Sequence, residues 1–215
     1  MSSQSVKEAG PVAPSPDRRA RRRQATRRKL TEAARQLIAS QGVDNTRINE
    51  ITERADVGFG SFYNHFGDKE AIVEAVLAET VAAQGAVVET LTADLGDPAE
   101  VIAVAHRYFV RLARRDPDWA WLLVRLDASH DIVLTALGPF AGRDLARGVK
   151  AGRLSVPDER VALFASGGAL LAVMRAVLDG RAPADADVRH AEGVLRMLGL
   201  SPAEATAVAG RPFPS

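Results

Sequence analysis

From Thr46 to Ile72 the chain gathers side chains that hydrogen-bond rather than make or break bonds: Thr, Arg, Asn, Ser, Tyr, His and Lys, with Phe and Gly between them. Hydroxyls, amides, an imidazole and cations are the donors that phosphate oxygens and base edges accept from. No arrangement suited to bond chemistry stands out in the rest of the sequence. There is no cysteine, which removes thiol catalysis and cysteine-type zinc sites. The four histidines (His65, His106, His130, His190) show no i, i+4 metal-ligand spacing. No glycine-rich phosphate loop occurs, and Gly58-Phe59-Gly60 is too short for a dinucleotide fingerprint and follows no strand. No catalytic residue, metal or cofactor is therefore expected, and the chain is not read as an enzyme.

Charge points the same way. Residues 1–30 carry nine Lys/Arg against Glu8 and Asp17, while the whole chain nets +1, so the remainder nets −6. One end seeks polyanions and the body does not. The elements follow from apolar spacing. Residues 1–16, rich in Ser, Pro, Gly and Ala, are expected to be a disordered tail. Leu30, Ala33, Ala34, Leu37 and Ile38 lie on one helical face, which predicts a helix from about residue 20 to residue 40 with Gly42 as its stop. Thr46 is the expected N-cap of a short second helix carrying Ile48, Ile51 and Ala55; Asp56-Val57-Gly58 ends it. A third short helix holds Phe62 and Phe66 and ends at Gly67, and Asp68 caps a fourth with Ile72, Val76 and Val81. A helix, a tight turn and a second helix too short to stand alone is a helix-turn-helix.

The residues Thr46, Ile51, Ala55, Val57, Gly60, Ser61, Phe62, Tyr63, Phe66, Lys69 and Glu70 match, without a gap, the signature of the tetracycline-repressor (TetR) family, which the segment resembles over residues 26–86. Two positions depart from it. Asp56 stands where the family has a turn glycine, and Gly58 stands where it has a serine cap. The resemblance implies DNA contact by Thr46, Arg47, Asn49, Phe59, Gly60, Ser61, Tyr63, Asn64, His65 and Lys69. Ser61, Tyr63, His65, Thr46, Arg47 and Lys69 would touch phosphates; Phe59, Ser61, Asn64 and Asn49 would read bases. Phe62 and Phe66 are assigned to the core. The basic run before the first helix is similar to arms that enter a minor groove, or is a tail adding nonspecific affinity.

The second half also reads as helix, so the fold class is all-α, with a DNA-binding domain at 17–86 and a larger helical domain at 87–210. Helices are predicted from Asp97-Pro98 to Asp116-Pro117, from Trp119 to Leu126, from Asp131 to Lys150 with a break at Gly138-Pro139, from Pro157 to Leu178 and from Asp185 to Leu198. No apolar run is expected to span a membrane, and a cytoplasmic protein follows. The resemblance implies a homodimer formed by the last two long helices, here Leu163, Gly167, Leu170, Leu171, Ala191, Val194, Leu195 and Leu198. It also implies a small-molecule effector cavity, for which Phe109, Trp119, Trp121, Arg125, Phe140 and Met174 are the candidates, with His106 or His130 as further polar handles. The implied function is a ligand-responsive repressor on double-stranded DNA with a pseudo-palindromic site; an activator or a nonspecific architectural protein shares the same features. No membrane partner is expected.

Overall fold

The computed structural model describes residues 16–125 and 129–214, without the side chains of residues 16, 17, 122, 125 and 129–134. Residues 1–15 of the expected 1–16 tail and the side chains of Arg125 and His130 thus lie outside the described residues, and Pro16 is already helical. Ten helices occur among the described residues, and no strand: α1 Pro16–Asn45, α2 Ile48–Ala55, α3 Phe59–Phe62, α4 Lys69–Thr92, α5 Pro98–Arg115, α6 Pro117–Arg125, α7 Ser129–Lys150, α8 Glu159–Leu178, α9 Ala186–Met197 and α10 Pro202–Ala209.

The chain packs as two units, residues 1–72 and 73–215, where the sequence suggests a division near residue 86. The smaller unit is built on the predicted stripe of α1: Leu30, Ala33, Ala34, Leu37 and Ile38 are buried, as are Ile51, Ala55, Phe62, Phe66 and Ile72. Gly42 breaks α1 with φ 80°, a conformation that costs an L-residue and not glycine. The basic run is not an extended arm. Arg18 to Lys29 already lie within α1, because no proline or glycine interrupts the run once the helix has begun at Pro16.

In the larger unit two apolar clusters form. One joins α5, α9 and α10 through Ala99, Ala103, Ala191, Leu195 and Ala205; the other joins α4, α5, α6 and α8 through Leu77, Val110, Leu123 and Met174. Asp97 caps α5, its carboxylate accepting from the Ala99 N–H, and Asp158 caps α8 in the same way from Val161. Three expectations change. Helix α7 runs through Pro139 without the predicted break, since one proline removes a single hydrogen bond and a long helix tolerates that. Helix α10 was not predicted. And α4 and α8 are both long and apolar enough to cross a membrane by length and composition, contrary to the expectation of none; only 22% of the most apolar stretch of α8 is buried.

Candidate nucleic-acid interface and apolar cavity

Helix α2 starts one residue later than predicted. Arg47 is its N-cap position, and its N–H donates to the Glu50 carboxylate at 2.9 Å. Thr46 is 1% exposed and its hydroxyl donates to the Gly42 carbonyl at 2.8 Å, so it holds the corner behind α2 and offers no side-chain contact to an outside partner. Asp56 then closes the helix in the left-handed region, φ 54° and ψ 53°, its N–H donating to the Glu53 and Thr52 carbonyls. It is the one non-glycine residue with positive φ among the described residues. Asp tolerates this region better than most side chains, which is why the turn survives without glycine.

Helix α3 begins at Gly58, extended at φ −62° and ψ 140°, with no side chain capping it. It covers Phe59–Phe62 and continues as hydrogen-bonded turns, with the His65 and Phe66 N–H groups both donating to the Phe62 carbonyl. Phe62 and Phe66 point into the core at 0% and 4% exposure. Opposite them, Phe59 and Tyr63 are each 52% exposed, their rings edge-on with centroids 5.6 Å apart. Arg47, Asn49, Gly60 and Asn64 are exposed too, while Ser61, His65 and Lys69 are half-buried. Thus nine of the ten expected contact residues are accessible in one unit, and Thr46 is the exception.

Two arginines that the sequence did not single out brace this segment. Arg23 donates to the Asn64 carbonyl at 3.4 Å, and Arg27 donates to the His65 carbonyl at 3.3 Å while stacking on Phe66. Their i, i+4 spacing on α1 was the available signal. Burial and then the charges of Arg23 and Arg27 hold the His65 imidazole below its ordinary pKa, so near neutrality it is an uncharged hydrogen-bonding group. Asp68 caps α4, accepting from the Ala71 N–H at 2.7 Å, and Lys69 Nζ donates to the Asp44 carbonyl at 3.3 Å.

The larger unit holds a cavity of about 100 Å³ walled by α4, α5, α7 and α8, with Leu198 closing one side. Of the candidate cavity residues, Phe109 and Phe140 line it. Met174 does not: it is fully buried in the second apolar cluster. Trp119 lies behind Phe109, stacked on it at 6.4 Å, and Trp121 sits under Arg175. The walls include Leu137, Leu163, Ser166 and Leu170, and Gly85 lets α7 approach, for a Cβ there would meet Leu137 at 2.9 Å. Its polar groups are few. His106 Nδ1 lies 3.0 Å from His190 Nε2; desolvation pushes the two imidazoles down to about 3 and about 4, so both are neutral. Asp144 is raised by burial, against the pull of Arg143 and Arg147, and Glu89 pairs with Arg143 at 2.7 Å.

The expected dimer residues divide by burial. Ala191, Val194, Leu195 and Leu198 belong to the internal core of the larger unit, so they are not free to meet a second copy. Periodicity marks a face as buried without saying against what, and here α5 and α10 cover it. Leu163, Gly167 and Leu170 face the cavity. The large exposed apolar side chains of these helices are instead Val161, Phe164 and Met197, at 63%, 46% and 41% exposure.

Residues 30–76 match the family described as bacterial regulatory proteins, tetR family, and residues 97–211 match tetracyclin repressor-like, C-terminal domain. An uncharacterized HTH-type transcriptional regulator, YvkB of Bacillus subtilis (strain 168), is 31% identical over 70 residues, 33% of this chain and 37% of that protein. The HTH-type transcriptional repressor AcnR of Corynebacterium efficiens is 28% identical over 114 residues, half of each chain. The matches thus span half or less of these curated relatives. Among solved structures, RolR in complex with its ligand resorcinol is 38% identical with a TM-score of 0.82, covering 91% of this chain and 98% of that one. The regulator FadR of Bacillus subtilis, solved with stearoyl-CoA, shares the fold at 20% identity and a TM-score of 0.59, over 81% and 99% of the two chains.

Proposed function

Because the chain belongs to the tetracycline-repressor family of transcription regulators, we propose that it is a homodimeric repressor that occupies a pseudo-palindromic site and leaves it when a small ring-shaped ligand fills the larger unit. The observation that carries the DNA half is the exposed face of the helix-turn-helix: Phe59, Tyr63 and Asn64 stand outward on α3 and the turns that continue it, whose other side, Phe62 and Phe66, is locked in the core. Asn64 and Phe59 supply base readout; Arg47, Ser61, Tyr63, His65 and Lys69 supply phosphate contacts, and Asn49 adds a base edge. Such a protein works in the cytoplasm.

Dimerisation is supported by α8. Its apolar outer surface, with Val161 and the small residues Ala165, Gly168 and Ala172, suits close helix packing against a second copy. The ligand half rests on size and on the likeness to RolR. A cavity on the order of 150 Å³ with aliphatic and aromatic walls takes one benzene ring, and about 100 Å³ is of that order, so a single ring suits it. Binding there would favour the dimer geometry with lower DNA affinity. The test is fluorescence anisotropy on a duplex from upstream of the chain's own gene, against a scrambled duplex, with and without resorcinol. Specific binding that resorcinol reverses is the expected result; specific binding indifferent to any single-ring compound would remove the effector reading.

A further inference from the structure

His106 and His190 are 84 residues apart, yet their rings meet inside the larger unit with Nδ1 and Nε2 at 3.0 Å. His106 lines the cavity, and with Nδ1 committed to His190 its remaining ring nitrogen is Nε2. We infer that the cavity takes an uncharged hydroxylated aromatic ring, whose hydroxyl hydrogen-bonds to His106 Nε2 while His190 acts as a positioning residue that fixes the imidazole and its tautomer. This rests on the reading of the cavity as the effector site.

Two neutral imidazoles share one proton across their contact, and the chemistry follows from where it sits. If His106 Nδ1–H donates to His190, His106 Nε2 is an acceptor for a ligand O–H. If His190 Nε2–H donates to His106, then His106 Nε2 carries the hydrogen and donates to a ligand oxygen. A hydroxyl satisfies either arrangement, and a bare hydrocarbon ring satisfies neither. A carboxylate fits only the second, and it would also face Glu89 and Asp144, the acidic groups in the wall, with no Lys or Arg among the described residues that line the cavity beside them. Arg143 and Arg147 accompany Asp144 on α7, and Arg143 is engaged by Glu89. Desolvation keeps the pair uncharged at neutral pH, which protects the relay from becoming an anion trap.

The experiment is isothermal titration of the full-length protein with resorcinol, toluene and benzoate. Wild type should bind resorcinol at least ~10-fold tighter than toluene and reject benzoate, since an unmade buried hydrogen bond is expensive. His106→Leu should weaken resorcinol by ~10–100-fold while leaving toluene unchanged, and His106→Gln should recover part of the loss. His190→Leu should weaken resorcinol by roughly 3–10-fold, and His190→Gln, which keeps a partner for His106, should restore it. Toluene binding in each variant reports that the cavity is intact. Resorcinol binding unchanged in His106→Leu would overturn the inference while the cavity reading stands. Benzoate binding as well as resorcinol would overturn the exclusion of anions. If wild type binds neither ring, both the inference and the effector reading fall.

Discussion

Lys69, Tyr63, Asn64 and Phe59 lie within one eleven-residue stretch, and substitutions in them should fail in two different ways. Lys69 is a cation at the start of α4, with one of its three donors on the Asp44 carbonyl and two left for a phosphate. Lys69→Ala or Tyr63→Phe should weaken binding to every duplex, and the lysine change should reduce the slope of log Kd against log salt by ~1. Asn64→Ala and Phe59→Ala should instead alter which sequence is preferred, by ~1–3 kcal/mol per lost base contact. An unchanged salt slope, or an unchanged preferred sequence, would remove the residue concerned from its role. The histidine pair sets a pH dependence of its own. Both folded pKa values, about 3 and about 4, lie below the unfolded value of ~6.5. The unfolded chain therefore binds more protons in between, and the pair lowers stability as pH falls below ~6.5, with none of this loss above it. The urea midpoint should drop between about pH 7.5 and about pH 5, and the His106→Leu/His190→Leu double variant should drop less.

Helix α3 is too short to hold itself, and its neighbours must set its place. Phe62 anchors it, and Phe62→Ala should cost ~3–5 kcal/mol in thermal or urea unfolding and abolish DNA binding. Asp56→Gly relieves a left-handed residue and should raise stability by up to ~1 kcal/mol, with DNA affinity unchanged; a loss of stability would mean that the Asp56 side chain itself holds the turn. At this scale much was legible. Gly42, Asp68, Asp97-Pro98 and Asp179-Gly180 are stops and caps with local physical causes, and the structure uses them so. Helix α10 escaped because its buried residues, Ala205, Val208 and Ala209, are small and make a faint stripe, although Ser201-Pro202 and Glu204 spell a capping box. Thr46 was misread because a threonine before a helix caps it or bonds backward to the preceding turn, and only tertiary packing decides. The cavity residues were the least legible. The His106–His190 contact joins α5 to α9 over 84 residues, and no local spacing encodes it.

For the whole molecule, selective DNA binding needs two copies acting together. The apolar outer surface of α8 would be costly in water, and a lipid or a second copy could cover it; the exposed recognition face of the smaller unit asks for a second copy, because one short helix reads too few bases to be selective. Val161→Glu should shift the protein from dimer to monomer in sedimentation and cost it tight DNA binding, while leaving resorcinol binding intact; a variant that stays dimeric would place the interface elsewhere. The most direct test of a sequence-specific dimeric regulator is selection of bound duplexes from a random-sequence pool at physiological salt. A dimeric, sequence-specific regulator should enrich one pseudo-palindrome, bind it as two protomers per duplex, and prefer it by about 10³ or more over scrambled DNA. A pool that stays random after repeated rounds, bound weakly and lost with rising salt, would contradict it.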